Sequence, residues 1–358
     1  MNSQRLILAD VKSLNIDGHS IGHYFSLAHN YLDNYASIFD TKIGGGPIYK
    51  TQFTPEVLFA LPYDSLEKGN SIKNKWHVLK NCYYLFHKTT PKDIIVLQHS
   101  GASTTFLGIA LLGRKKNNIY VIQYNTDALK SLFQRLIYRL AKKKIKGIIC
   151  PSAKIGEAYQ RPYCIVTDYI YPKSPDFFHQ EKRSYKDKKY DFAIVGGIYP
   201  DKGVVEIANY LKGTKFTLLI AGAANTELSN QLKNIAESSE NIELHLGFVS
   251  DNEYYNFIRS SRYCILNYHG VYSNRSSGVV LDILFNGTPI IGHQCNALQF
   301  VKDEKVGFLF KNVQDFNPEM FLHEQIYENY LRYINVFLLK QKDYRNRFIN
   351  FIKQSKLL

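Results

Sequence analysis

A glycine-rich turn between a strand and a helix is the first segment that can do chemistry. The predicted strand Phe192–Val195 runs into Gly196 and Gly197, and after a Pro-Asp turn Lys202 and Gly203 open a helix. Glycines let a ligand approach the backbone closely, and a helix start offers free N–H groups with a partial positive charge. With the charge of Lys202 added, the segment suits a diphosphate, although a structural turn with a solvated lysine explains it equally well.

A second segment of this kind, NRSSGVVLDILF, contains Arg275, Ser276, Ser277 and Gly278 immediately before an apolar helix. Either serine can cap that helix, and the same N–H groups, hydroxyls and guanidinium can hold an anion. Asp282, one turn further on, can accept hydrogen bonds from a ribose. The alternative is an ordinary helix cap beside a surface arginine.

Two further strand ends in the second half carry glycines. Gly222 ends the strand TLLIAG, and Gly247 ends NIELHLG, with Phe248 and Val249 after it. The loop at Phe248 and Val249 can cover a nucleobase with backbone contacts, although a plain turn glycine explains either strand end alone. Ligands of open α/β sheets bind beyond the carboxyl ends of the strands, so we expect these loops at one edge of a sheet.

Short apolar runs alternate with segments of helical period along the chain. This pattern is typical of buried parallel strands between helices and predicts an α/β fold with doubly wound sheets. The predicted strands are 6–9, 94–97, 119–122, 147–150, 165–167, 192–195, 216–221, 242–246, 263–266, 289–291 and 306–309. The predicted helices are 21–35, 128–144, 204–211, 226–238, 252–260 and 277–285.

The alternation stops at 171–189, where two prolines and a charge cluster replace it. We therefore predict an N-terminal domain over 1–171, a linker over 172–189, a C-terminal domain over 190–316 and a helical tail over 317–358. A length of 358 residues agrees with two domains. A long surface loop within one large sheet is the alternative.

Charge and cysteine content narrow the class of protein. The chain has 45 Lys and Arg against 31 Asp and Glu, a net charge of +14, which favours an anionic partner. Its five cysteines form no CxxC pair, which argues against a disulfide scaffold or a zinc ribbon. Neither a signal peptide nor a transmembrane-length apolar run is recognisable, so we expect a cytoplasmic protein, soluble or held on the inner face of the membrane.

The segment 129–146 combines apolar and basic residues without an acid. One side of its predicted helix carries Leu129, Leu132, Phe133, Leu136, Ile137 and Leu140, with seven Lys or Arg residues among and after them. Such a helix can lie on an anionic membrane, whereas a helix packed on the core with solvated charges is the alternative. The remaining charge looks spread and no nucleic-acid-binding module is recognisable, so no nucleic-acid partner is expected.

Taken in order, the segments of the second half resemble the donor-binding half of GT-B glycosyltransferases, most closely the family-4 group. The similarity covers roughly 190–310 and comprises the glycine strand end with its Lys-Gly helix start, IAG, GFVSD, and a small-residue loop before a helix that ends Gly-Thr-Pro-Ile. Two sites depart from the pattern. Gly197 stands where the family commonly has an arginine, and Asn274 and Asp282 stand where it has paired glutamates.

The resemblance implies a GT-B fold, with two Rossmann-like domains facing a cleft, and a hexosyltransferase that retains anomeric configuration. A nucleotide sugar would be the donor and a glycan or lipid-linked hydroxyl the acceptor, in polysaccharide or lipopolysaccharide assembly. No Asp-x-Asp motif occurs, so neither a metal nor a cofactor is expected. The alternatives are a non-catalytic protein of the same fold, a sugar-nucleotide enzyme such as an epimerase on the same scaffold, and a basic nucleic-acid-binding protein. The expected donor-binding residues are Gly197, Lys202, Gly222, Phe248, Val249, Asn274, Arg275, Ser276, Ser277, Gly278 and Asp282.

The first half supplies the residues expected on the acceptor side. Its loop NIDGHSIGHYF resembles the family's glycine-containing loop before the first helix, which points to Gly18, His19, Gly22 and His23. His99 ends a predicted strand, and because a histidine near this place contacts the transferred sugar in similar enzymes, we expect His99 to be catalytic. A structural or solvated histidine is the alternative. Asn125, at the end of the next strand, is a further residue expected in the cleft.

Overall fold

The computed structural model describes residues 4–16, 19–20, 24–66, 71–98, 103–166, 184–274 and 277–354. By its internal contacts the chain divides into two compact units. Unit 1 comprises residues 1–173 and 341–358, and unit 2 comprises residues 174–340. Within the described ranges no helix is both long and apolar enough to span a bilayer.

Unit 1 contains a seven-stranded, all-parallel sheet with the strand order β10-β9-β8-β7-β1-β4-β5, and a small sheet with the order β3-β2-β6. Its strands are β1 (Arg5–Ala9), β2 (Leu14–Ile16), β3 (His19–Ser20), β4 (Asp40–Gly45), β5 (Leu58–Ala60), β6 (Ser65–Leu66), β7 (Ile94–Leu97), β8 (Asn118–Ile122), β9 (Ile145–Cys150) and β10 (Tyr163–Ile165). Its helices are α1 (Tyr24–Tyr35), α2 (Ser71–Lys88), α3 (Ser103–Leu112), α4 (Leu132–Lys142) and α5 (Ala153–Ala158).

Unit 2 contains a six-stranded, all-parallel sheet with the strand order β13-β12-β11-β14-β15-β16. Its strands are β11 (Tyr190–Val195), β12 (Leu218–Gly222), β13 (Ile242–Leu246), β14 (Ser261–Leu266), β15 (Ile290–His293) and β16 (Gly307–Phe310). Its helices are α6 (Val204–Leu211), α7 (Thr226–Glu237), α8 (Asp251–Arg259), α9 (Gly278–Phe285) and α10 (Gln299–Asp303).

Burial on both faces of each sheet explains the continuous apolar runs. All four residues of β7 and all six of β11 are buried. In unit 1 the two faces of the sheet pack into two separate apolar clusters, and helices α2, α3 and α4 cover one of them. The predicted α/β class with Rossmann-like parallel sheets is therefore confirmed.

A long helix, α11 (Glu324–Gln354), closes the described chain. Its residues up to 340 belong to unit 2, and those from 341 belong to unit 1. In unit 1 the ring of Phe348 lies 4.7 Å from that of Tyr35 and 5.6 Å from that of Tyr31. Phe351 packs on Gly147 of β9, where a Cβ would come within 2.3 Å of its ring. The end of the chain therefore supplies part of the core of unit 1.

Candidate functional site

The strand order of unit 2 reverses between β11 and β14, because the chain moves outward from β11 through β12 to β13 and then returns to the other side of β11. In open α/β sheets such a reversal leaves a crevice beyond the carboxyl ends of the two strands, and ligands bind there. The loops that follow β11 and β14 flank this point, and their described residues are 196–203 and 267–274.

Backbone hydrogen bonds join the two loops. The amide of His269 donates to the carbonyl of Asp201 (2.7 Å), and the amide of Val271 donates to the carboxylate of Asp201 (3.1 Å). Gly203 adopts a φ of +55°, and a Cβ on it would come within 2.3 Å of the side-chain amide of Asn267. The approach of the loops therefore requires glycine at this position, since another residue would be strained and would clash.

Lys202 is the buried cation of this site. It is 8% exposed, and its ammonium nitrogen lies 5.5 Å from the ring centroid of Tyr199 and 5.2 Å from that of Tyr272. Burial lowers the pKa of Lys202 to about 8. No ion pair or hydrogen bond links its ammonium to the part of the chain that the structure describes. A buried charge that only aromatic faces stabilise is costly, and an anionic ligand would repay that cost.

The strand-end glycines of β11 and β12 pack backbone against backbone. Gly222 has a φ of +150°, and a Cβ there would lie 2.0 Å from the carbonyl oxygen of Gly196. Gly197 lies under the ring of Tyr199, where a Cβ would be 2.8 Å from the nearest ring carbon. The absence of a side chain at 197 therefore makes room for one of the two rings that contact Lys202.

The start of α9 is held by a chain of aromatic contacts that leads back to Lys202. The rings of Tyr272 and Tyr268 lie 5.5 Å apart, and the hydroxyls of Tyr268 and Ser277 share a hydrogen bond of 2.9 Å. Ser277 occupies the N-cap position of α9, but its side chain makes no capping hydrogen bond. Lys202 is thus linked to the start of α9 through Tyr272 and Tyr268, and the hydroxyl of Ser277 is already hydrogen-bonded to Tyr268. Gly278 follows Ser277 as the first residue of that helix.

Asp282 and the 247–249 loop differ in their surroundings. Asp282 is half-buried in α9 and accepts a hydrogen bond of 3.1 Å from the hydroxyl of Tyr254. Phe248 is 96% exposed after Gly247, and Val249 is half-buried. Asn274 is described only by its backbone, as the last residue of a 3-10 turn. Arg275 and Ser276 lie outside the described residues.

Most acceptor-side predictions fall where the structure gives no description. Gly18, Gly22, His23 and His99 lie outside the described residues, and His19 is described only by its backbone, in β3. Asn125 is described in full. Its side-chain oxygen accepts a hydrogen bond from the amide of Asp127 (2.9 Å), and its carbonyl accepts one from the hydroxyl of Tyr159 (2.9 Å). In this structure Asn125 therefore shapes a turn.

A buried polar group in unit 1 was not predicted from the sequence. The strand order reverses between β1 and β7, and the residues that follow these strands, Asp10 and Gln98, are each 1% exposed. The hydroxyl of Tyr49 donates to the carboxylate of Asp10 (3.0 Å), and Gln98 donates to the carbonyl of Tyr24 (2.8 Å). Burial, followed by the charge of Asp10, raises the pKa of Tyr49. The sequence contains the pattern that could have predicted this group, since Asp10 and Gln98 each directly follow a predicted apolar strand.

The described residues hold no group of three or more histidine, cysteine, aspartate or glutamate side chains suited to a metal ion. No family model matches the chain, and no curated protein sequence matches it.

Solved structures do match the chain over its whole length. The trehalose 6-phosphate synthase of Burkholderia multivorans has a TM-score of 0.69 at 8% identity, over 100% of this chain and 99% of its own. HepE of Anabaena, solved in complex with UDP-glucose, has 0.65 at 12% identity, over 99% and 100%. The N-terminal domain of trehalose-6-phosphate phosphatase from Candida albicans has 0.69 at 9% identity, over 99% and 97%. The similarity is one of fold, and it confirms the predicted GT-B fold.

Proposed function

We propose that this chain is a glycosyltransferase that moves a sugar from a nucleotide-sugar donor to a hydroxyl of a glycan or lipid-linked acceptor. The observation that carries the proposal is the buried ammonium of Lys202, which has no ion pair or hydrogen bond with the described residues and lies beside the reversal of strand order in unit 2. A diphosphate is an anion that this ammonium can pair with, and similar folds include one solved with UDP-glucose.

The donor's diphosphate would pair with Lys202 and with the guanidinium of Arg275. Backbone N–H groups of 276–278 at the start of α9 would add hydrogen bonds. Gly197 and Gly222 would shape the site indirectly, because Gly197 makes room for the Tyr199 ring and Gly222 for the backbone of Gly196. Asp282 would bind the ribose, with Asn274 beside it. Phe248, exposed at the end of β13, is free to cover the base together with Val249.

In the reaction, the bond between the sugar's anomeric carbon and the diphosphate breaks, and a bond from the acceptor oxygen forms as that hydroxyl loses its proton. Negative charge grows on the leaving diphosphate, and preorganised cations stabilise it most in the transition state. Lys202 would supply part of this stabilisation, and independence from a metal ion is part of the proposal. Retention of configuration is part of the proposal.

Unit 1 would bind the acceptor. Its candidates are the predicted loop residues Gly18, His19, Gly22 and His23, with Asn125 at the next strand end and His99 against the transferred sugar. A lipid-linked acceptor for polysaccharide or lipopolysaccharide assembly would bring the protein to the inner face of a membrane. Sugar phosphates are a further acceptor class to test, since similar folds include a trehalose 6-phosphate synthase.

The test is a thermal-shift screen with nucleoside diphosphates and nucleotide sugars, followed by release of the diphosphate with and without acceptors. A true donor should raise the melting temperature, because it binds only the folded state. Lys202→Met should weaken diphosphate affinity roughly tenfold or more, as expected for loss of a charged contact. The exposed Lys212→Met is the matched control. Chelator should leave turnover unchanged. If no nucleotide shifts the wild type, the proposal is wrong.

A non-catalytic protein of the same fold is the second candidate. It is favoured by Gly197, which replaces an arginine common in the family that the chain resembles. One of the similar structures, moreover, is the N-terminal domain of a protein named as a phosphatase. In that case nucleotides would bind and Lys202→Met would weaken them, but no acceptor would trigger release of the diphosphate.

A further inference from the structure

Three neighbouring helices of unit 1 cover one face of its large sheet. Helix α3 packs against both α2 and α4, and all three bury apolar residues against β1, β7, β8 and β9. Their outer surfaces, named here the α2–α4 face, therefore point away from the core of unit 1.

Helix α4 places large apolar side chains on that outer surface. Ile137, Tyr138 and Ala141 are buried, as in any helix that packs on a sheet. The exposed fractions of other apolar residues are high, with 82% for Leu132, 69% for Phe133, 54% for Leu136 and 56% for Leu140. The spacing of 132, 136 and 140 sets them on one side of the helix. The apolar residues of this helix thus form two stripes, of which only one belongs to the core.

The neighbouring helices extend the exposed apolar surface. On α2, Ile72 is 75% exposed and Trp76 is 57% exposed, and on α3 Leu111 is 64% exposed. Exposed tryptophan is typical of surfaces that meet the headgroup region of a bilayer. The ammonium of Lys80 lies 5.7 Å from the centre of the Trp76 ring. Apolar and basic side chains are therefore interleaved on this face.

The net charge of the chain is concentrated in the same segment rather than spread. Residues 68–156, which contain the three helices, hold 17 of the 45 Lys and Arg residues and only two of the 31 acids, Asp93 and Asp127. This leaves +15 in the segment, against +14 for the whole chain. Exposed basic residues of the three helices and the turns after them include Lys73, Lys75, Lys115, Lys116, Arg135 and Arg139.

We propose that the α2–α4 face docks on the surface of a bilayer that contains anionic phospholipids. Leucine, phenylalanine and tryptophan side chains enter the boundary between headgroups and acyl chains, and the surrounding cations pair with lipid phosphates. The phosphates of a nucleic acid would also attract the basic residues, but a nucleic acid offers no apolar surface for the exposed leucines. A bilayer offers both, so we propose it as the partner. The contact does not depend on glycosyl transfer, and its test needs no donor.

Trp76 is the only tryptophan of the chain, so its fluorescence reports on this face alone. The full-length protein is mixed with vesicles of phosphatidylcholine, with or without phosphatidylglycerol. We expect a blue shift of the Trp76 emission and co-sedimentation with the anionic vesicles only. Arg135→Gln combined with Arg139→Gln should weaken binding about 20- to 30-fold, at about fivefold for each basic residue.

Leu132→Ser combined with Phe133→Ser removes the most exposed apolar residues of α4 and should reduce binding by at least about tenfold. Leu339→Ser, at a residue 60% exposed on α11 in unit 2, is the matched control and should bind as the wild type does. An unchanged melting temperature verifies the fold of each variant. Equal binding to neutral and anionic vesicles, or no loss in the Leu132 and Phe133 variant, overturns the proposal. So does self-association that this variant abolishes, or duplex DNA bound in place of vesicles.

Discussion

Replacing the buried lysine of unit 2 should stabilise the fold while it weakens the site. Lys202 has a usual pKa of 10.5, and burial lowers it to about 8 in the folded protein. At 1.36 kcal/mol per pH unit, this difference corresponds to about 3 kcal/mol of unfolding free energy that the charged lysine removes below pH 8. Lys202→Met removes the charge and keeps an unbranched apolar side chain that is one atom shorter, so we expect a gain in stability of up to that size.

The gain should depend on pH in a defined direction. Between pH 8 and 10.5 the unfolded chain binds more protons at Lys202 than the folded chain does, so the stability of the wild type rises with pH in this window. The advantage of Lys202→Met is therefore largest below pH 8 and is lost above pH 10.5. For a unit of this size, 1 kcal/mol shifts the melting temperature by about 2–4 °C.

Thermal unfolding of wild type and variant at pH 6.5 and pH 10, without ligand, measures the effect. Lys212→Met, on the exposed end of α6, serves as the control and should change stability little at either pH. A variant that is less stable than the wild type at both pH values, or a gain that does not change with pH, would refute the reasoning about the buried charge.

Four more outcomes are expected. The affinity of wild type for a nucleoside diphosphate should fall about tenfold between pH 7 and 9 in calorimetry, because Lys202 loses its proton near pH 8. Gly222→Ala should lower unfolding free energy in denaturant titrations by about 3 kcal/mol through strain and overlap, and Gly213→Ala, with φ +68° but open space, by only about 1 kcal/mol. Phe248→Ala should weaken nucleotide binding in the same calorimetric assay yet leave the melting temperature unchanged, since the side chain is exposed. Phe348→Ala should destabilise unit 1 by about 3–5 kcal/mol in denaturant titrations.

The large sheets were largely predictable because their strands are buried on both faces. The strands at 94–97 and 242–246 have the predicted bounds. Strand β4 was missed because its sequence, DTKIGG, contains one large apolar residue. There Gly44 packs on Ala9 of β1 and Gly45 lies under the ring of Tyr49, so close backbone contact replaces the packing of side chains. A rule based on apolar runs does not detect such a strand.

The candidate site was predictable only where its signals are local. The glycines and the lysine after one strand predict a ligand site at Lys202. The burial of Lys202 depends on Tyr272, which lies in a loop far away in the sequence. Asp10 followed an apolar strand in the sequence, yet its pairing with Tyr49 depends on the missed strand β4. Asn125 satisfies its own turn, which short polar side chains do often and which spacing alone does not indicate.

The helix α11 has a consequence for biosynthesis. Unit 1 is completed by residues 341–358, so its core lacks Phe348, Ile349 and Ile352 until all of unit 2 has left the ribosome. Domains generally fold as units, beginning from the N-terminus, during translation. In this chain the C-terminal domain can fold first, while the N-terminal one must await the last helix. Premature termination near residue 340 would thus remove core residues from unit 1, although most of that unit is synthesised first.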